Sequence, residues 1–371
     1  MNIPTDIEAF ATRSPWWSTE FPTEVICSPD GVGDLIKKLE TDSRRPFWVI
    51  DRSLKGQEAF DPIFKMPSVY IFDASRSEPR TGDVDELAEI IRSAPHAPDV
   101  VAGVGGGSTM DLAKAAALCT ANPGPSSKYQ GYDMELNKGH DIWVLPTLIG
   151  TGAEITPIAV LRGPEKKLGI NNKYVQPSVA FIDPQLSAGA AKSKRFFTLM
   201  DCYYHHYEIT KSRTSSKKAL EDAAKGLVLA KDALSHSLDE YDPATAIKSA
   251  MASVLGGSSS IGGRVGAAHA FSYGLSNSSP VMPHSIAVTI SILALEDIYP
   301  DGYEETLKFL ELNGMAVPKA SEYGIGEKDV EKMTVTALGM DKLWQSCFGS
   351  DLQEEALPEF IRSTYRKILQ V

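Results

Sequence analysis

Hydrophobic positions in the first half of the chain fall in short runs rich in β-branched and aromatic residues, separated by turn formers and by segments with helical spacing. The runs at 23–27, 47–50, 68–72, 100–104, 142–145 and 179–182 predict strands. Between them, 31–40 and 83–93 carry apolar residues at a period near 3.6, and acids open the second in the way a helix N-terminus favours. Strands alternating with helices predict a mostly parallel sheet covered by helices. After Asp183-Pro184 the strand pattern stops. Long segments rich in Ala, Leu, Lys and Glu follow at 217–238, 244–255, 286–299, 328–346 and 355–369. The expected organisation is therefore an α/β domain over 1–184 and an all-α domain over 185–371. The glycine- and serine-rich stretch 256–263 reads as a helix break near the domain interface.

Composition narrows the partners. With 371 residues, 43 % of them hydrophobic and 23 % charged, the chain is long enough for two domains and a substantial core. A net charge of −11 argues against general nucleic-acid binding, which needs a basic face, and leaves room for a local basic pocket. Cys27, Cys119, Cys202 and Cys347 form no CxxC pair, so neither a disulfide framework nor a zinc ribbon is expected, and a reducing cytoplasm fits. The first residues lack a basic segment followed by an apolar one, which excludes an ordinary signal peptide. The longest apolar run, 286–295, is interrupted by Thr289 and Ser291 and falls short of the roughly 20 residues that span a bilayer. No membrane segment is expected.

Three stretches carry candidate chemistry. Residues 100–114 run from a strand through Gly105, Gly106, Gly107 and Ser108 into a helix. Such a loop is either a tight structural turn or a cradle in which backbone amides and a helix N-terminus face a pyrophosphate. A second glycine loop, 146–154, again follows a strand and offers Thr147 and Thr151 to a nicotinamide or ribose. Asp51 stands directly after the strand at 47–50, where a carboxylate binds a ribose hydroxyl pair and repels a 2′-phosphate; a helix N-cap for Ser53 onward is the competing reading. The third stretch is 197–208. There Asp201 and His205 are four residues apart on one helix face, and His269 and His284 lie downstream beside glycines. Singly, each of these histidines reads as a hydrogen-bonded core residue and Asp201 as a cap; jointly they are four O/N donors suited to Zn²⁺ or Fe²⁺. His206, turned about 100° from His205 on a helix, is expected behind the ligands or facing substrate.

At these residues the chain resembles the iron-containing, or group III, alcohol dehydrogenases of the dehydroquinate synthase-like superfamily. The family's GGGSxxDxAK loop appears at 105–114, its PTxxGTGSE loop at 146–154, its KxxI step at 167–170, its DP at 183–184 and its DxxxH helix at 201–205. The resemblance implies that Asp201, His205, His269 and His284 are the metal ligands. It also implies that Asp51, Gly105, Gly106, Gly107, Ser108, Asp111, Thr147, Thr151 and Lys167 serve the dinucleotide. Three features depart from the pattern: Ala153 replaces a serine, the His269 to His284 spacing is one residue longer than usual, and Tyr273 stands where relatives commonly carry a histidine. Within the family the pattern looks most like the 3-deoxy-D-manno-octulosonate 8-oxidases.

The resemblance implies NAD-linked oxidation of a primary alcohol to an aldehyde. The site would hold one divalent ion and NAD(H), the latter either exchanging or tightly bound. Tyr273 or His206 would pass the proton to water. Its partners would be a small sugar-acid substrate, anchored by a cation drawn from Arg162, Lys194, Arg195 and Arg264, and a second copy in a homodimer. A pyridoxal-phosphate aminotransferase would be coupled functionally to the aldehyde product. The alternatives are a group III dehydrogenase for another polyol or alcohol, a lyase like dehydroquinate synthase on the same scaffold with no net NADH, and a non-catalytic NAD- or metal-binding protein.

Overall fold

The computed structural model describes residues 4, 6–13, 22–74, 78–132 and 134–370. The chain divides into two units, Met1–Gly189 and Ala190–Val371. The division follows a 3₁₀ turn at Pro184–Gly189, whose first residue is the last one expected in the first domain.

Unit 1 is built on a six-stranded parallel sheet of β1 (Glu24–Cys27), β2 (Pro46–Asp51), β3 (Val69–Phe72), β4 (Val100–Gly105), β5 (Asp141–Pro146) and β8 (Val179–Ile182). Their order is β1-β8-β5-β4-β2-β3. All six match the hydrophobic runs. The central strands are buried on both faces, as a parallel sheet covered by helices requires. Trp48, Ile50, Val104, Trp143, Leu145 and Phe181 pack with Val32, Leu35 and Leu39 of helix α1 (Gly31–Thr41). Helix α2 (Thr81–Arg92) matches the second predicted helix. Helix α3 (Gly107–Cys119) is buried along its length from Thr109. It lies so close to β4 that a Cβ on Gly103 would come within 2.9 Å of the Ala113 methyl.

The sheet has a topological switch point. From β2 the chain moves outward to β3 and then returns past β2 to β4, so the carboxyl ends of β2 and β4 flank a crevice of the kind in which open α/β sheets bind ligands. The strand expectation missed one element, an antiparallel hairpin of β6 (Ile158–Arg162) and β7 (Lys167–Asn171). Its alternate residues Ala159 and Leu161 are buried, a pattern only five residues long in each strand.

Unit 2 contains nine helices among its described residues. They are α4 (Lys192–Lys211), α5 (Lys217–Leu234), α6 (Pro243–Ser260), α7 (Ala267–Ser278), α8 (His284–Leu293), α9 (Pro300–Asn313), α10 (Val330–Leu338), α11 (Asp341–Phe348) and α12 (Leu357–Gln370). The expected break at 256–263 begins too early. Helix α6 runs through Gly256 and Gly257, both buried, and Ser259 and Ser260 each return a hydroxyl bond of 2.9 Å to the Gly256 carbonyl. The chain turns only at Gly262, where φ is +88°. The segment expected at 328–346 is two helices, α10 and α11, separated at Gly339 and Met340. Helix α9, opened by Pro300 and closed by a left-handed Gly314, was not among the predicted elements. Among the described residues no helix is long and apolar enough to cross a membrane.

One close approach inside unit 2 involves a residue expected at the active site. The His206 ring is fully buried and sits against Gly226 of α5, so that a Cβ at Gly226 would fall 2.0 Å from it. Gly226→Ala should cost about 1–3 kcal/mol through overpacking and lower the thermal midpoint. Gly82→Ala, which meets no neighbouring atom within 4 Å, should leave the midpoint unchanged or slightly raised. Calorimetry of the two variants checks this.

Candidate functional site

The helical unit brings together three of the four expected metal ligands. Asp201 and His205 lie mid-helix on one face of α4, and His269 is the third residue of α7. Asp201 is therefore not a helix cap. One ligand atom from each of the three lies within 4.8 Å of the others. The His205 and His269 rings meet edge-on with centroids 4.5 Å apart. Asp201 Oδ1 and His269 Nε2 face each other at 3.4 Å. Neither atom makes a hydrogen bond, and His205 Nδ1 is buried without one as well. Buried polar atoms are normally satisfied. Asp201 Oδ1 and His269 Nε2, buried without hydrogen bonds, together with a ring nitrogen of His205 form a set of N and O donors that fits a divalent cation such as Zn²⁺ or Fe²⁺. His284, the first residue of α8, stands next to this group with its ring centroid 5.6 Å from that of His269, outside the 4.8 Å set.

The electrostatics agree with a charge-binding cluster. Burial opposes ionisation of Asp201, yet the neighbouring His284, His269 and His205 imidazoles hold its carboxyl well below the usual range. Burial and the adjacent His269 lower His205 to about 3. His269 is raised to about 9 in spite of burial, because it lies between the carboxylates of Glu208 and Asp201.

Glu208 belongs to the expected stretch 197–208, yet no role follows for it from the sequence analysis. It is buried, its Oε2 pairs with His269 Nδ1 at 2.5 Å, and its Oε1 accepts from the Ala268 N–H at 2.8 Å. The signal was available: Asp201, His205 and Glu208 follow i, i+4, i+7, one stripe of a single helix.

The two expected proton carriers separate. His206 faces away into the packing of α5 and α6, where Nε2 is 3.0 Å from the Ala252 carbonyl oxygen, and burial lowers its pKa to about 4. A position facing substrate is therefore not what the structure gives it, because the 100° turn from His205 points its ring into the helical core. Tyr273, one turn beyond His269 on α7, is half-buried and places its ring 5.9 Å from that of His284.

In unit 1 the three expected nucleotide loops meet at the carboxyl edge of the sheet. The register sets Ile50 beside Val104 and Gly105 beside Pro146, and Thr147 donates its N–H to the Gly105 carbonyl at 2.9 Å. Gly105 has φ +154°, and a Cβ there would lie 2.8 Å from Thr109 and 3.0 Å from Asp51. At Gly107 an added Cβ would meet nothing, at Gly106 only the Leu148 Cβ at 3.9 Å, and no side chain caps α3. An open, uncapped helix start with glycines is a fitting seat for a phosphate. Ser108 follows in the first turn of α3, and Thr151 lies half-buried in the second loop.

Asp51 does what its competing reading expected: Oδ1 accepts from the Ser53 N–H at 2.8 Å, while Oδ2 lies 3.5 Å from the Thr109 hydroxyl. Asp111 and Lys167 are engaged by protein. Asp111 Oδ2 accepts from the Val160 N–H at 3.0 Å, and the Lys167 ammonium pairs with Glu78, which also holds Arg162 at 3.1 Å. Asp111 thus ties α3 to the hairpin rather than lining the loop. Fully buried Lys114 reinforces the tie, donating to the Ala153 carbonyl at 2.9 Å and to the Ile158 carbonyl. This clamp fixes the second glycine loop against α3.

Removing the central ligand should empty the cluster. His269→Ala, purified and analysed for bound elements, should retain no divalent metal where the unmodified chain retains it. Retention at the unmodified level would overturn the ligand assignment.

Residues 22–184 match the family model described as iron-containing alcohol dehydrogenase. A sulfoacetaldehyde reductase of Bilophila wadsworthia is 34 % identical over 112 residues, which span 30 % of this chain and 29 % of that protein. The chain thus matches under a third of that relative's length. Two solved structures extend the likeness over nearly the whole chain. The iron-containing alcohol dehydrogenase of Thermotoga maritima superposes with a TM-score of 0.77 at 24 % identity, covering 95 % of this chain and 99 % of the other. A sulfoacetaldehyde reductase of Bifidobacterium kashiwanohense, in complex with NAD⁺, superposes with a TM-score of 0.78 at 20 % identity, covering 95 % and 98 %. Residues 22–184 thus match the iron-containing alcohol dehydrogenase family, and the chain as a whole has the fold of a solved iron-containing alcohol dehydrogenase.

Proposed function

We propose that this chain is a metal-dependent, NAD-linked oxidoreductase that interconverts a primary alcohol and its aldehyde. The observation that carries the reading is the convergence of Asp201, His205 and His269, with Asp201 Oδ1 and His269 Nε2 buried and without hydrogen bonds. When bound, a divalent ion supplies a Lewis acid that makes an alcohol proton easier to lose, and NAD supplies a hydride acceptor. The protein's own groups do the rest. Asp201 brings a full negative charge to balance the cation, and the burial of Asp201 and His269 limits competing water there. Asp51, Gly105, Gly106, Gly107, Ser108, Thr147 and Thr151 would hold the nucleotide, and Asp111 and Lys167 would support that seat through the contacts of the hairpin. Tyr273 would carry the released proton outward, because a phenol both donates and accepts.

The narrower reading is oxidation of the C8 hydroxyl of 3-deoxy-D-manno-octulosonate, with NAD(H) held tightly, a homodimer as the working form and a pyridoxal-phosphate aminotransferase consuming the aldehyde. Tyr273 in place of a histidine supports a substrate other than a simple alcohol. A second reading, a small anionic aldehyde, is favoured by the name of the Bilophila relative, a sulfoacetaldehyde reductase. Of the cations expected to anchor an anion, Arg162 pairs with Glu78, Arg195 donates to the Leu238 carbonyl and Arg264 to the Gly263 carbonyl. Lys194 is exposed on the first turn of α4.

Denaturing the purified protein and identifying the released nucleotide and metal tests the cofactor assignment. Turnover of the octulosonate with an electron acceptor, set against reduction of sulfoacetaldehyde with NADH, then separates the two substrates. Release of no nucleotide, together with no binding of added NAD, would sink the dehydrogenase reading. Gly107→Ala should leave thermal stability unchanged while weakening NADH binding at least tenfold, about 1.4 kcal/mol, as read by nucleotide fluorescence. Tyr273→Phe should slow proton release more than it affects cofactor binding, and an unaltered pH-rate profile would exclude the relay.

A further inference from the structure

We propose that Glu208 is a positioning residue of the metal centre: it fixes the tautomer of His269 and the start of α7 so that His269 Nε2 faces the cation. The inference rests on the metal-centre reading above. Glu208 is 1 % exposed, and both of its oxygens are used within one turn of α7. Oε2 pairs with His269 Nδ1, and Oε1 accepts from the Ala268 N–H at 2.8 Å. A carboxylate only accepts, so His269 must carry its hydrogen on Nδ1. In its neutral form, the form that can ligate a cation, the ring then presents a lone pair at Nε2, the atom that faces Asp201 at 3.4 Å with no hydrogen bond.

The same contact replaces a missing helix cap. The N-cap of α7 is Gly266, which has no side chain to offer the first amides. A Cβ there would lie 2.5 Å from the Tyr299 hydroxyl and 3.1 Å from Glu208 Oε1. The two residues that crowd Gly266 supply the caps instead: Tyr299 Oη accepts from the Ala267 N–H at 3.1 Å, and Glu208 from Ala268. Glu208 therefore sets both the backbone that carries His269 and the orientation of its ring. His205 has no such partner at Nδ1. One face of α4 thus provides two ligands and the group that aims a third.

Glu208→Gln leaves the volume but only one acceptor oxygen. Either the Ala268 amide or the His269 Nδ1–H is then opposed by a donor. Titrating metal-free protein with Co²⁺ should show about a ten- to hundredfold loss of affinity and a changed visible spectrum of the Co²⁺-loaded form. Tyr299→Phe removes the neighbouring cap without touching His269 and should keep the affinity and the spectrum. Equal losses in the two variants would reduce Glu208 to a helix cap and overturn the inference, as would an unchanged affinity in Glu208→Gln. Should Glu208→Gln fail to fold, nitrogen NMR of the Zn²⁺-loaded unmodified chain decides: a proton on His269 Nδ1 is expected, and a proton on Nε2 overturns the inference. If the unmodified chain takes up neither Co²⁺ nor Zn²⁺, the metal-centre reading fails by itself, ahead of any variant.

Discussion

An imidazole held between two carboxylates out of water is the interaction on which the helical unit depends. Asp201 and Glu208 are 7 % and 1 % exposed, and His269 lies between them at 2 %. Buried charges are tolerated only when they are paired or coordinate a metal, and removing one partner of a buried pair costs roughly 3–5 kcal/mol. That constraint explains why both acids sit on one stripe of α4 and why α7 begins where it does. Hydrogen bonding satisfies Glu208 completely. It leaves Asp201 Oδ1 and His269 Nε2 without hydrogen bonds, and a cation would resolve that imbalance.

In the α/β unit the corresponding constraint is close approach of backbone to backbone. Gly103 lets α3 lie on β4, Gly105 turns the chain beside Asp51 and Thr109, and the space beside Gly106 and Gly107 is open. The parallel order of the sheet then delivers Asp51, the first glycine loop and Thr147 to neighbouring carboxyl ends. Lys114 holds the second loop through the Ala153 carbonyl and the hairpin through the Ile158 carbonyl. Rigid support beneath a glycine-rich rim reconciles precise placement with room for a ligand.

Local pattern revealed much of this and missed the rest for identifiable reasons. The six sheet strands were legible because buried parallel strands are continuous apolar runs bounded by turn formers. The hairpin was not, since five-residue strands of mixed burial, ending in Arg162 and beginning at Lys167, do not stand out from a loop. The 256–263 stretch was read as a break because glycine and serine are poor helix formers. Dense packing and serine back-bonds to Gly256 overrode that propensity. Asp201 and His205 were found by their spacing of four, whereas Glu208 was passed over although it continues the same stripe.

The sequence by itself determined the class of the fold, the glycine loops, and the pairing of an acid and a histidine on one helix face. These are consequences of local period and residue type, which a single chain displays directly. Tertiary structure decided which residues meet. It separated His206 from His205, turning one into the core against Gly226 and the other toward His269. It gave Asp111 and Lys167 to protein partners, and it brought Glu208 to a ring 61 positions away. Such contacts depend on how helices pack and on which buried polar atoms find partners there, and neither is encoded in spacing along one element.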